Sequence, residues 1–141
     1  MHVPRSKMFL VLLVALIAAG AVVTVAAAAV ISRQTFADGE GGLRYRFEKT
    51  TVDASGFDSG WHIHPGLVIV QVEAGSAQFY QGSCTPKTVN PGDTLVEVPW
   101  KPARFVTTGS AVWTTSLFVP AGQQLLVPLA TYSPQQANPC P

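Results

Sequence analysis

Short apolar runs rich in β-branched residues recur from Leu43 to Val127, each closed by a turn signal about every 8–12 residues. Leu43-Arg44-Tyr45-Arg46-Phe47 alternates apolar with basic residues, as a half-buried strand does. Leu67–Val72 is nearly continuous β-branched sequence and reads as a core strand. Ala77–Gln81 stops at Gly82-Ser83, and Thr94–Val98 follows the turn Asn90-Pro91-Gly92-Asp93. Arg104–Thr108, Ala111–Val119 and Gln124–Val127 complete the set. No helical period of useful length comes after Ile31, so the pattern predicts an all-β sandwich or barrel.

The N-terminus predicts the address. His2, Arg5 and Lys7 precede Met8–Ile31, a segment of 24 residues without a charge. That is long enough to span a bilayer, while Ala26–Ala29 also offers a small-residue cleavage site. Both readings leave the positive flank in the cytoplasm and export the chain beyond Ile31. The expected organisation is a cytoplasmic flank (1–7), a transmembrane anchor or signal segment (8–31), a polar Gly-ended linker (32–42), one β domain (43–133) and a Pro- and Gln-rich tail (134–141). The two cysteines, Cys84 and Cys140, both fall in the exported part, where an even count favours a disulfide. Such a link would tie the tail to the domain and contribute roughly 4 kcal/mol by the chain-entropy argument. Nine Lys and Arg against eight Asp and Glu give a net charge of +1, with no basic cluster, which argues against nucleic acid as a partner.

The residues with chemistry sit in Gly56–Gly75. His62 and His64 are one residue apart, and side chains on a strand alternate, so both imidazoles project from one face. Two convergent imidazoles are half of a metal site. Trp61 is adjacent and is the best of the three tryptophans as a pocket wall.

The arrangement Gly56, His62-Ile63-His64-Pro65-Gly66 and Gly75, followed by Pro91-Gly92-Asp93 through Pro99, resembles the two motifs of the cupins over roughly residues 43–127. The segment Gly60–Gly66, with Cys84-Thr85-Pro86 and a final cysteine at Cys140, looks most like the small exported cupins of high-GC bacteria. The resemblance implies a small double-stranded β-helix, or jelly roll, behind the N-terminal helix. It also implies a metal held by the two histidines, a Glu shortly after them and a His of the second motif. Here the Glu position falls on Val68, and the last His position on Ala103 or Arg104, depending on register. No histidine lies beyond His64. A carboxylate from elsewhere would have to stand in, with Glu97 and Glu73 nearest. Strand parity turns Glu73 away from His62, His64 and Val68, and leaves the facing of Glu97 open.

Without that carboxylate, His62 and His64 form a weak site for zinc, iron, manganese or nickel, or hold no metal at all. Arg104, facing inward, would repel a cation and hold an anion instead. Trp61, Val68 and Arg104 are the expected pocket residues. The leading expectation is an extracytoplasmic binding or accessory protein with an incomplete metal site, on the outer side of the cytoplasmic membrane or secreted. A metal-dependent enzyme of the dioxygenase or isomerase type and a structural subunit of a membrane complex are the alternatives. No catalytic residue is assigned, and no nucleophile motif or phosphate loop is present. Residues 8–31 would engage the membrane, and a homodimer or a membrane-complex partner is compatible with the resemblance.

Overall fold

The structure, a computed structural model, describes residues 29–39 and 44–140. Among these residues, ten antiparallel strands form two five-stranded sheets. The first has the order β1-β2-β9-β4-β7, built from Ala29–Asp38, Tyr45–Ser55, Ser110–Pro120, Leu67–Ala74 and Thr94–Glu97. The second has the order β10-β3-β8-β5-β6, built from Val127–Pro128, His62–Ile63, Ala103–Val106, Ala77–Gln81 and Lys87–Val89. A helical turn, α1 (Leu129–Tyr132), and a 3₁₀ turn (Pro134–Gln136) come after the last strand. The all-β, double-stranded β-helix expectation is met in this topology. The inner faces pack Val68, Val70 and Val72 of β4 against Phe79, Phe105, Trp113 and Leu117. Trp113 anchors this core, with Phe57 and Phe105 each 5.1 Å from its ring.

Two glycines of the first motif have steric reasons. At Gly66 an added Cβ would lie 1.9 Å from the Phe118 carbonyl oxygen, so only glycine lets the chain cross β9 this closely. Gly75 turns β4 into β5 at φ +71°, and a Cβ there would lie 2.1 Å from the Ser110 oxygen.

Two expectations need correction, one of a boundary and one of a strand's facing. Residues 29–31, expected as the end of the apolar segment, and 32–38, expected as a tether, form edge strand β1. Its ladder runs from Ala29 opposite Asp53 to Asp38 opposite Arg46, with irregularities at Val30/Ser32 and Thr35/Ala37. Backbone pairing along β2 outweighs the polar composition of the segment. The remainder of the expected membrane segment, residues 8–28, lies outside the described residues. Among the described residues no helix is long and apolar enough to cross a membrane.

The second correction concerns β2. Its interior residues are Glu48, Thr50 and Ala54, so the even positions face inward and Tyr45 and Phe47 face out. Phe47 stacks between Phe36 of β1 and Phe118 of β9, at 4.8 and 4.4 Å, as a ladder on the outer surface. Cys84 and Cys140 form a disulfide that ties the tail to the loop after β5.

Candidate metal centre

His62 lies in β3, directly opposite Ala103 of β8. His64 sits just past the strand end, where its carbonyl accepts a hydrogen bond from the Trp100 N–H at 2.9 Å. Trp100 has φ +62° and stands third in the turn Val98-Pro99-Trp100-Lys101, whose ends are joined by a Lys101 N–H to Val98 carbonyl bond of 3.2 Å. That position of a type II turn ordinarily favours glycine. On the other side of His62, the Leu129 N–H donates to the Trp61 carbonyl at 2.9 Å. The histidine segment is thus pinned by the β7–β8 turn and by the start of α1.

Both imidazoles and the carboxyl of Glu97 are almost fully buried. Nδ1 of His62 lies 3.0 Å from the Gly60 carbonyl oxygen, and Nδ1 of His64 lies 2.5 Å from that of Leu125. A carbonyl oxygen only accepts, so both Nδ1 atoms carry hydrogen. That leaves the two Nε2 atoms facing one oxygen of Glu97, at 3.3 Å from His62 and 2.9 Å from His64. Either the imidazoles are protonated and donate to the carboxylate, or three lone-pair donors converge on a cation. All three ligand atoms lie within 4.8 Å of one another. Ligand atoms about 2.1 Å from a shared ion are about 3.0–3.4 Å apart at octahedral to tetrahedral angles, which the two His–Glu97 separations approach. Backbone carbonyls on the outer ring nitrogens are also the usual means of orienting metal-bound histidines. The donor set therefore fits a divalent transition metal, and the group could hold one.

Burial alone pushes the Glu97 carboxyl up, but hydrogen bonds from His62 and His64 outweigh it and hold it down at about 2. Glu97 is therefore an anion at neutral pH, as a ligand must be.

Glu97 stands directly opposite Val68 in the β4–β7 ladder. The carboxylate lacking at Val68 is supplied one strand over, at the same level and from the same face. Val68 itself is fully buried in the core beside Glu97. Glu73 faces out and accepts a hydrogen bond from Thr114, in keeping with its strand parity. Ala103 is buried opposite His62 and adds no ligand.

None of the three expected pocket residues lines the histidine cavity: Val68 is part of the core, and the other two stand elsewhere. Arg104 faces outward and pairs with Asp58, its Nε 3.0 Å from the carboxylate. It neither repels a cation at the histidines nor holds an anion there, because alternation along β8 turns Ala103 and Phe105 inward instead. This contact is what holds the Asp58 carboxyl below its ordinary value. Trp61 turns away from the histidine cavity and packs edge-on against Tyr80, ring centres 5.9 Å apart. It lines a separate hollow of about 360 Å³ beside Cys84–Cys140.

His62, His64 and Glu97 instead face a cavity of about 290 Å³ between the sheets. Its walls are mostly apolar, with Phe57, Val70, Phe105, Trp113, Leu117 and Leu125 among them. β1 supplies one side through Val30 and Arg33. Sequence reasoning did not find those two, since no periodic signal marks the segment as a strand.

No protein-family model matches the sequence, and no curated protein matches it. Solved structures do resemble it. A DMSP lyase, DddQ from Ruegeria pomeroyi, aligns at TM-score 0.53 and 19% identity over 71% of this chain and 52% of its own. A protein with a double-stranded β-helix domain from Klebsiella pneumoniae aligns at TM-score 0.51 and 18% identity, over 66% of this chain and 75% of its own. A cupin-superfamily protein from Desulfitobacterium hafniense aligns at TM-score 0.49 and 14% identity, over 62% of this chain and 76% of its own. The chain spans about half the length of the lyase. At these identities the likeness concerns the fold, and the fold is a double-stranded β-helix.

Proposed function

We propose that this protein holds one divalent transition metal on His62, His64 and Glu97 and uses it to bind a small molecule in the adjoining cavity. The observation that carries the reading is the convergence of both Nε2 atoms on one Glu97 oxygen while both Nδ1 atoms are committed to backbone carbonyls. Two His and one carboxylate form the facial triad of mononuclear iron sites, and three protein ligands with an open position equally suit zinc. A metal held in this way supplies Lewis acidity to a ligand oxygen. The protein supplies a fixed donor geometry, a water-poor apolar wall and an anionic Glu97. A metal-dependent reaction on the bound molecule is the second reading, favoured because three protein ligands leave coordination positions for a substrate. We place the domain outside the cytoplasmic membrane, tethered or released, a reading supported by the Met8–Ile31 segment and by the Cys84–Cys140 disulfide.

Elemental analysis of the full chain, purified without a His tag, tests the metal. The wild type is expected to carry close to one equivalent, and Glu97→Gln and His62→Ala/His64→Ala almost none. A wild type without metal after exposure to zinc, iron, manganese and nickel would sink the reading.

A further inference from the structure

The cavity has a second polar end. Glu48 of β2 is completely buried on its wall. Arg46 Nη2 lies 2.6 Å from Oε2, and Arg33 Nε lies 3.3 Å from Oε1. The Thr50 hydroxyl donates to Oε1 at 3.3 Å. Both carboxylate oxygens are therefore engaged, so Glu48 is spent on holding guanidinium groups rather than free to bind metal. Its two arginines are compensated only in part, since Asp38 reaches Arg46 at 3.9 Å. Among the described residues Glu48 is the only ion-pair partner of Arg33. Arg33 lines the cavity, and its side chain is 57% exposed. A guanidinium has five donors, and this contact uses one of them. The result is a cation at the cavity wall, propped from behind by a buried carboxylate.

The register relates the two ends. Glu48 is opposite Leu117, Leu117 is opposite Val68, and Val68 is opposite Glu97. They form one inward row across β2, β9, β4 and β7, three strand spacings or roughly 14 Å between backbones. Side chains reaching inward from both ends shorten the gap; Leu117 lies between them in this row, and Val70 and Trp113 also line the cavity.

We propose that the cavity takes a small organic acid, with its carboxylate on Arg33 and its apolar body along Leu117, Val70 and Trp113. Its far end then faces His62, His64 and Glu97. Arg33 binds the ligand, and Glu48 is a positioning residue acting through Arg33. The orientation of the ligand rests on the metal-site reading, whereas the Arg33 contact does not. A carboxylate is favoured over an amine because the wall offers guanidinium donors there, and the one nearby carboxylate is already saturated.

Calorimetric titration of the full chain with hexanoate and with hexylammonium tests this, in metal-loaded and chelator-treated samples. Hexanoate is expected to bind saturably and at least tenfold tighter than hexylammonium. Arg33→Gln should weaken hexanoate tenfold or more in the chelator-treated sample, where no metal competes for the carboxylate. Arg33→Lys, which keeps the charge and guards against misfolding, should lose less. Absence of saturable hexanoate binding, equal binding of hexylammonium, or indifference to Arg33→Gln would each overturn the proposal. Arg33 dependence in a protein that takes up no metal would leave this proposal standing and sink the metal centre. A metal-loaded protein indifferent to Arg33 would do the reverse.

Discussion

At the scale of single residues, the Val68–Glu97 pair decides the chemistry. Their side chains leave opposed positions on neighbouring strands and enter the same interior, so a carboxylate on either has access to the histidines. Exchanging them tests this directly. Glu97→Val should abolish metal retention, and Val68→Glu/Glu97→Val should restore it to within about tenfold, read by competition with a chromogenic chelator. Failure of the double variant to bind metal while folded would mean that the β7 backbone, and not merely the carboxylate, is required. Trp100 makes a second residue-scale case. A left-handed conformation costs a side-chain-bearing residue about 1–2 kcal/mol, and more for a β-branched one. Trp100→Gly relieves this strain but loses the contact with Tyr132, 5.8 Å between rings. It should be near neutral in thermal melts, while Trp100→Val should be about 2 kcal/mol or more less stable than Trp100→Gly. The histidines were legible as a convergent pair because the period of a strand is two. The third donor was not, because parity places a residue on one of two faces without saying which face is interior.

At the scale of elements, the same ambiguity explains β2. Leu43, Tyr45 and Phe47 alternate with arginines, and the apolar set reads as the buried one. The interior of β2 instead carries Glu48 and Thr50, because that face lines a cavity with polar ends, while Phe47 belongs to an outer aromatic stack. β1 was lost for a related reason. Its inward positions include Arg33, so the ordinary apolar periodicity is absent where the wall lines a cavity rather than a closed core. Strands that face only core, such as Ala77–Gln81, were legible to the residue. Very short ones, Lys87–Val89 and Val127–Pro128, have too few residues for a period to show in full. A chain lacking residues 1–42 should therefore melt lower than one lacking residues 1–28 and bind more of a hydrophobic dye, since Glu48 and the cavity wall are uncovered. Equal melting temperatures would show that β1 adds nothing to the domain. Between β8 and the loop before β3, the Asp58–Arg104 pair has a pH signature. The folded Asp58 carboxyl lies below its ordinary 3.8, so its stabilisation is complete above that value and fades as pH falls through the lowered one. The stability difference between wild type and Arg104→Gln should shrink in that acid range, from a small value at neutral pH, as befits an exposed pair.

At the scale of the whole molecule, the tail contributes little packing of its own. The 3₁₀ turn has no buried residue, and the tail is held by Cys84–Cys140, 56 residues apart in sequence. Replacing both cysteines with serine should lower stability by up to roughly 4 kcal/mol, mainly by freeing the unfolded chain. Metal content and hexanoate affinity should stay unchanged, since neither cysteine lines the histidine cavity. A loss of metal with the disulfide would mean that the tail steers the site from a distance. The cavity wall begins at Val30, immediately after the small-residue run Ala26–Ala29. Cleavage within that run, if the segment serves as a signal, would therefore fall close to the edge of the cavity. A peptidase acting within that run would leave every cavity-lining residue in place, so tethered and released forms would share one ligand specificity. Trimming as far as Arg33 would discard the proposed acid-binding end of the cavity.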